Sequence, residues 1–147
     1  MSDSDLLSLY SGRILELAAD IPRIGRLDAP QGSARRRSPV CGSTVTVDVT
    51  LKDGKVAAFA QDVKACALGQ ASASIMGRAL AGRTRAEVET ARDALRAMLS
   101  EGGAVPAAPF DGYQVLVPAR DYRNRHASIL LALEAAAEAI AAAEAAD

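Results

Sequence analysis

Thr44-Val45-Thr46-Val47-Asp48-Val49-Thr50-Leu51, followed by Lys52-Asp53-Gly54-Lys55, decides the fold. Val45, Val47, Val49 and Leu51 alternate with Thr44, Thr46, Asp48 and Thr50, which is the period of a strand with one buried face. Asp53-Gly54 is a pair favoured in tight hairpins, because glycine accepts a positive φ at little cost. Residues Val56 to Val63 are therefore expected to return antiparallel to the first strand. Cys41 stands just before the first strand and Cys66 just after the second, so the hairpin predicts that its open end makes neighbours of the two cysteines.

Beyond the hairpin, Ala65-Cys66-Ala67-Leu68-Gly69-Gln70-Ala71-Ser72-Ala73-Ser74-Ile75-Met76 opens a small-residue helix expected from Ala67 to Leu80 and stopped near Gly82. A thiol in the first turn of a helix faces unsatisfied N–H groups and the positive end of the dipole. Those conditions favour thiolate, the form that binds metals and carries sulfur. Cys66 also reads as a small buried hydrophobe closing a strand-to-helix joint, and the local sequence leaves both readings open.

Thr84 with Glu87 forms a capping box for the next helix, which carries Val88, Ala91, Leu95, Met98 and Leu99 on one side. A Gly- and Pro-marked loop follows, then Tyr113 to Val117 as a short third strand ended by Pro118. The last helix starts between Asp121 and Asn124 and enters an Ala/Glu tail with no turn signal, whose final turns are expected to fray. On it His126, Leu130, Leu133, Ala137 and Ile140 share a stripe, with His126 at the N-terminal end. Such a histidine is either a core residue bonded to backbone or a metal ligand beside two thiols, a combination that zinc or iron accepts.

On the N-terminal side, Ser4 caps a helix with Leu6, Leu7, Tyr10, Ile14, Leu17, Ala18 and Ile21 at helical spacing, ended by Pro22. Pro22 to Pro39 is rich in proline, glycine and charge and reads as an exposed connection. Its run Arg35-Arg36-Arg37 is either solvated surface or a docking patch for an acidic partner.

A chain of 147 residues, half of them hydrophobic, can bury its own core as one soluble domain over 1–147. The net charge of −1 gives no reason to expect nucleic acid or an anionic membrane as partner, and five aromatics without tryptophan cannot build a base-stacking platform. Neither a signal peptide nor an 18-residue apolar span is read from the sequence, so a cytoplasmic location is expected. Thiols stay reduced there, and a cysteine pair points to metal or sulfur chemistry more than to a disulfide.

Four stretches resemble the NifU/IscU-type iron–sulfur cluster assembly scaffold family, which includes the zinc-bearing SufU-type members. Tyr10-Ser11 with Pro22-Arg23-Ile24-Gly25 is similar to its N-terminal segment, and Pro39-Val40-Cys41-Gly42 to its first cysteine loop. Ala65-Cys66 with Ala71-Ser72-Ala73-Ser74 resembles its second cysteine loop, and His126-Ala127-Ser128-Ile129-Leu130 the start of its C-terminal helix. Order and spacing join these motifs into one match over most of the chain.

The resemblance implies a single NifU N-terminal, IscU-like domain over 1–147 of the α+β class, a small antiparallel three-stranded sheet packed against helices on one side. It implies a non-enzymatic scaffold that transiently binds metal or a labile iron–sulfur cluster and delivers it to acceptors. The implied partners are a cysteine desulfurase and acceptor apoproteins, for a monomer or weak dimer. Carried over by position, the ligands for the cluster or for a single Fe or Zn ion are Cys41, Cys66 and His126. Ser43 stands where the family has aspartate, and Ala127 where it has a third cysteine. A [2Fe–2S] cluster normally takes four protein ligands, whereas one Zn or Fe(II) accepts three and an open position. Two other roles fit the same residues: a persulfide relay from a desulfurase through Cys41 or Cys66, and a protein-interaction module that has lost its metal chemistry.

Overall fold

A computed structural model describes residues 10–39 and 42–146. The chain runs α1 (Gly12–Ala19), β1 (Gly32–Arg37), β2 (Thr44–Lys52), β3 (Lys55–Lys64), α2 (Ala67–Ala79), α3 (Arg85–Ser100), a 3-10 segment (Asp111–Asp121) and α4 (Arg123–Ala145). The strands form one antiparallel sheet in the order β1-β2-β3. The expected α+β class with a three-stranded sheet is thus observed, and the hairpin that decides it is in place. Asp53 and Gly54 turn it with positive φ at both residues, 54° and 74°, which suits the right-handed twist of the flanking strands. Pairing starts at Thr44 with Lys64 and slips by one residue at Thr50/Leu51, a bulge that ends the simple alternation.

The third strand is not the expected one. Tyr113 to Val117 lies in the 3-10 segment, where Tyr113 and Leu116 turn into the core. The third strand is instead β1, from the stretch read as an exposed connection, and it pairs Arg37 with Thr44 and Gly32 with Val49. Its placement follows from Asp48, on the face of β2 opposite the valines. The preceding chain joins the free edge of β3, where Gly25 N–H donates to Gln61 O at 2.8 Å and Gln61 N–H to Arg23 O at 2.9 Å. It then passes Asp48, whose buried carboxylate takes Arg26 Nε at 2.7 Å, Leu27 N–H at 3.0 Å and Ser33 Oγ at 2.6 Å. Those bonds hold the crossing and deliver β1 to the far edge.

Val45, Val47 and Val49 are fully buried on the face that α4 covers. Arg36, on that same face, reaches Glu138 and Glu134 of α4. The predicted capping box of α3 is present in both directions. The expectation that α4 frays at its end is corrected: Ala139, Ile140 and Ala143 are fully buried. By length and mean hydropathy (1.4) α4 could cross a membrane, contrary to the span reading, but 67 % of that window is buried inside the fold, as in the core helix of a soluble protein. The first predicted helix is observed over Gly12–Ala19; Ser4, Leu6 and Leu7 lie outside the described residues.

Candidate metal and sulfur site

Cys66 stands where β3 gives way to α2. It is the N-cap residue of that helix, in extended backbone, and its side chain makes no capping hydrogen bond. The thiol is half-buried, with Sγ 3.5 Å from Ser128 Oγ. Ser128 donates in turn to Ser43 Oγ at 3.1 Å. A line of polar groups therefore runs from the loop before β2, through the first turns of α4, to the sulfur. Ser43 and Ser128 are both buried, so the thiol is partly open to solvent while its partners are closed off.

Glycine and a tight turn make this meeting possible. A Cβ on Gly69, one turn into α2, would stand 2.6 Å from Ser128 Oγ, so only glycine lets α4 lie this close to α2. On the other side, Ser38 N–H donates to Ser43 O at 2.8 Å and Gly42 N–H to Ser38 O at 2.9 Å. Gly42, at φ +73°, completes that turn between β1 and β2. Cys41 belongs to this turn in sequence and lies outside the described residues.

His126 is held from another direction. Its Nε2 is 2.9 Å from Ala119 O and 3.1 Å from Arg120 O in the 3-10 segment. Carbonyls only accept, so Nε2 carries a hydrogen and Nδ1 is the ring nitrogen left without a backbone partner among the described residues. Ser128 comes two residues later, about 200° around a helix of 3.6 residues per turn, so the two side chains leave α4 on different sides. The structure thus joins Cys66, Ser128 and Ser43 and ties His126 to backbone. Among the described residues no group of three or more His, Cys, Asp or Glu is arranged to hold a metal ion. Ser128 was the contact not foreseen from sequence, although it stands inside the His126-Ala127-Ser128 motif.

The neighbouring packing is tied by buried hydrogen bonds. Tyr113, fully buried, donates to Ser72 O at 2.9 Å, and Ser72 Oγ donates to Ile129 O at 2.5 Å. Burial drives the Tyr113 phenol well above its ordinary pKa, so it stays a neutral donor linking α2, α4 and the 3-10 segment.

The site thus sits in an α+β layer, with a cysteine at the sheet-to-helix joint and the C-terminal helix laid over it. Residues 9–144 match the family described as NifU-like N terminal domain, and the chain belongs to that family. A nitrogen-fixing NifU-like protein (N-terminal) from Brucella abortus is similar at 46 % identity and a TM-score of 0.93, over 96 % of this chain and 98 % of that one. A putative iron–sulfur cluster assembly scaffold protein for the SUF system from Fervidobacterium islandicum AW-1 shares the fold, with TM-score 0.79 at 19 % identity over 90 % of this chain and 96 % of that one. No curated protein matches the chain in sequence.

Proposed function

We propose that this chain is a carrier in iron–sulfur assembly that holds iron, zinc or a labile cluster transiently and passes it to an acceptor apoprotein. Its ligands are Cys41, Cys66 and His126, its sulfur comes from a cysteine desulfurase, and it turns over no small-molecule substrate. The observation that carries this reading is the contact of Cys66 with Ser128, which in turn donates to Ser43, a residue two positions after Cys41 in sequence. The carbonyl bonds of His126 are compatible with a ligand role, because metal-bound histidines commonly donate their second ring N–H to backbone. Nδ1 is then the coordinating atom. Three donors match one zinc or ferrous ion with an open position better than a closed four-ligand cluster, which accounts for a transient cargo.

Anaerobic reconstitution with ferrous iron and sulfide tests the reading. The native chain is expected to develop visible charge-transfer absorption, and Cys41→Ser and Cys66→Ser are each expected to lose it. A native chain with no such bands and no co-purifying metal overturns the proposal.

The partial exposure of Cys66 favours a second reading, sulfur relay. Incubation with a desulfurase and cysteine should then add one sulfur, about 32 Da, to the native chain and not to Cys66→Ser.

A further inference from the structure

The sheet has two outer edges, and they are protected in different ways. The edge strand β1 carries Arg35 and Arg37, exposed cations of the kind that discourage strand pairing. The outer edge of β3 is covered by other parts of the chain, at two points. Gln61 N–H donates to Arg23 O at 2.9 Å, and Gln61 O accepts Gly25 N–H at 2.8 Å. Further back, Val56 N–H donates to Arg83 O at 3.0 Å, and Val56 O accepts Gly82 N–H at 2.8 Å. The hydrogen-bonding groups of successive strand residues point to alternate sides, and Gln61 uses both of its own on the outer side. Phe59, two residues back in the same register, therefore turns its N–H and C=O outward as well. Neither has a hydrogen-bond partner on that side among the described residues.

Between the two covers lies a notch of about 200 Å³, lined by Arg23, Leu27, Ala57, Ala58, Phe59 and Ala81. Its walls are apolar apart from Arg23, and its three alanines leave space that larger side chains would fill. Lack of an ion pair does not set Arg23 apart, since Lys52 and Lys55 at the hairpin turn make none either. Its position does: it is the charged residue of the notch, and its own backbone forms the cover that ends the open stretch. Asp20 pairs with Arg78 and Asp48 with Arg26, so neither neutralises it. Arg23 is also held at φ +61°, a conformation uncommon for a residue other than glycine. Local strain of this kind gathers at binding sites.

We infer that this notch binds the C-terminal end of an extended peptide from another protein. Phe59 exchanges backbone hydrogen bonds with its last residues, the apolar walls take a small aliphatic side chain, and Arg23 pairs with the terminal carboxylate. The inference goes beyond the carrier reading and does not depend on the metal site. Addition of a strand to a sheet edge and capture of a terminal carboxylate are both recurring modes of peptide recognition. The covers at Gln61 and Val56 close the two ends of the open stretch, so a strand that ran on past it would meet them. A chain end fits between, and the same covers keep a second copy from laying its own β3 edge here. The notch is smaller than the roughly 300 Å³ at which pockets for small-molecule ligands begin, a size suited to one or two residues. One cation among apolar residues offers no track for a nucleic-acid backbone.

The test uses the full chain and, as probe, a fluorescent pool of hexapeptides with free C-termini, randomised at the last two positions. The same pool with amidated C-termini is the control. Fluorescence polarisation should show binding of the free acids, and amidation should weaken it about tenfold or more, the loss of one charge-assisted hydrogen bond. Arg23→Gln is expected to weaken the free acids by a similar factor and to leave the amides unchanged, which a merely structural role for Arg23 would not do. Ala81→Leu fills the notch from an exposed position and should abolish binding of both pools, whereas Lys55→Gln at the hairpin turn should bind as the native chain does. In amide hydrogen exchange followed by NMR, saturating peptide should slow the Phe59 N–H about tenfold. Thermal melting checks the fold, and if Arg23→Gln unfolds the chain, Ala81→Leu and the acid-against-amide comparison decide. A native chain that binds neither pool overturns the inference, as does equal binding of acids and amides. So does an amidated peptide with an internal aspartate that binds as tightly as the free acids, or Phe59 exchange that bound peptide does not change. Slow Phe59 exchange in a peptide-free chain that sediments as a dimer overturns it too. Reconstitution spectra that fail reject the carrier reading without touching these measurements.

Discussion

Ser43 and Ala127 determine how firmly the site can hold a cargo. The Ser43 hydroxyl is buried and already receives Ser128, so it lacks both the charge and the freedom of a carboxylate ligand. Ala127 lies between His126 and Ser128 in the first turns of α4, half-buried, and contributes no donor atom. Ala127→Cys adds a thiolate to the three proposed ligands. We expect a reconstituted cluster to survive desalting about tenfold longer in this variant than in the native chain, read as the decay of visible absorbance. Equal decay would mean that position 127 is out of reach of the cargo. These residues were legible because their types can be compared one by one with a motif. The Ser43–Ser128–Cys66 contact was not, because serine is ordinary in a helix and only the approach of α4 to α2 gives this one its partner.

Among the elements, β2, β3, α2 and the capping box of α3 could be read directly, because each carries its own periodicity and end signal. The strand β1 could not. Gly32-Ser33-Ala34-Arg35-Arg36-Arg37 has almost no apolar residue, and it becomes a strand because β2 offers it a free edge and the Arg26–Asp48 crossing leads it there. Tyr113 to Val117 shows the converse: its apolar residues imitate a strand, yet no sheet edge receives it, and Tyr113 and Leu116 are buried in a 3-10 turn instead. The alanines at the end of α4 carry little signal in sequence but let that helix lie directly on the sheet. A Cβ on Gly32 would come 2.1 Å from Ala139 O and 2.4 Å from Ala143 N, and both atoms are backbone that cannot swing aside. Gly32→Ala should therefore separate β1 from α4 and lower stability by about 3 kcal/mol, measured by urea unfolding. A change within experimental scatter would show that the end of α4 is not packed this tightly.

For the whole molecule, Asp48 is the tie between the chain before the sheet and the sheet itself. Burial by itself raises the pKa of this carboxyl, but hydrogen bonds from Arg26, Ser33 and Leu27 N–H, with the arginine charge, outweigh it and leave the group below its ordinary value. A folded pKa below the unfolded one, about 3.9, contributes stability that is present above about pH 4 and is lost as pH falls through the folded value. The chain released would include Arg23 to Gly25 on the edge of β3 and, through Ser33, β1, which leads into the turn carrying Cys41. Asp48→Asn keeps the shape and removes the charge. At pH 7 it should be less stable than the native chain by about 2 kcal/mol, because the buried donors lose a charged acceptor. Between about pH 5 and pH 2 the native melting temperature should fall more steeply than that of the variant, until the two curves converge. Parallel curves over that range would show that Asp48 does not govern the acid stability of this fold.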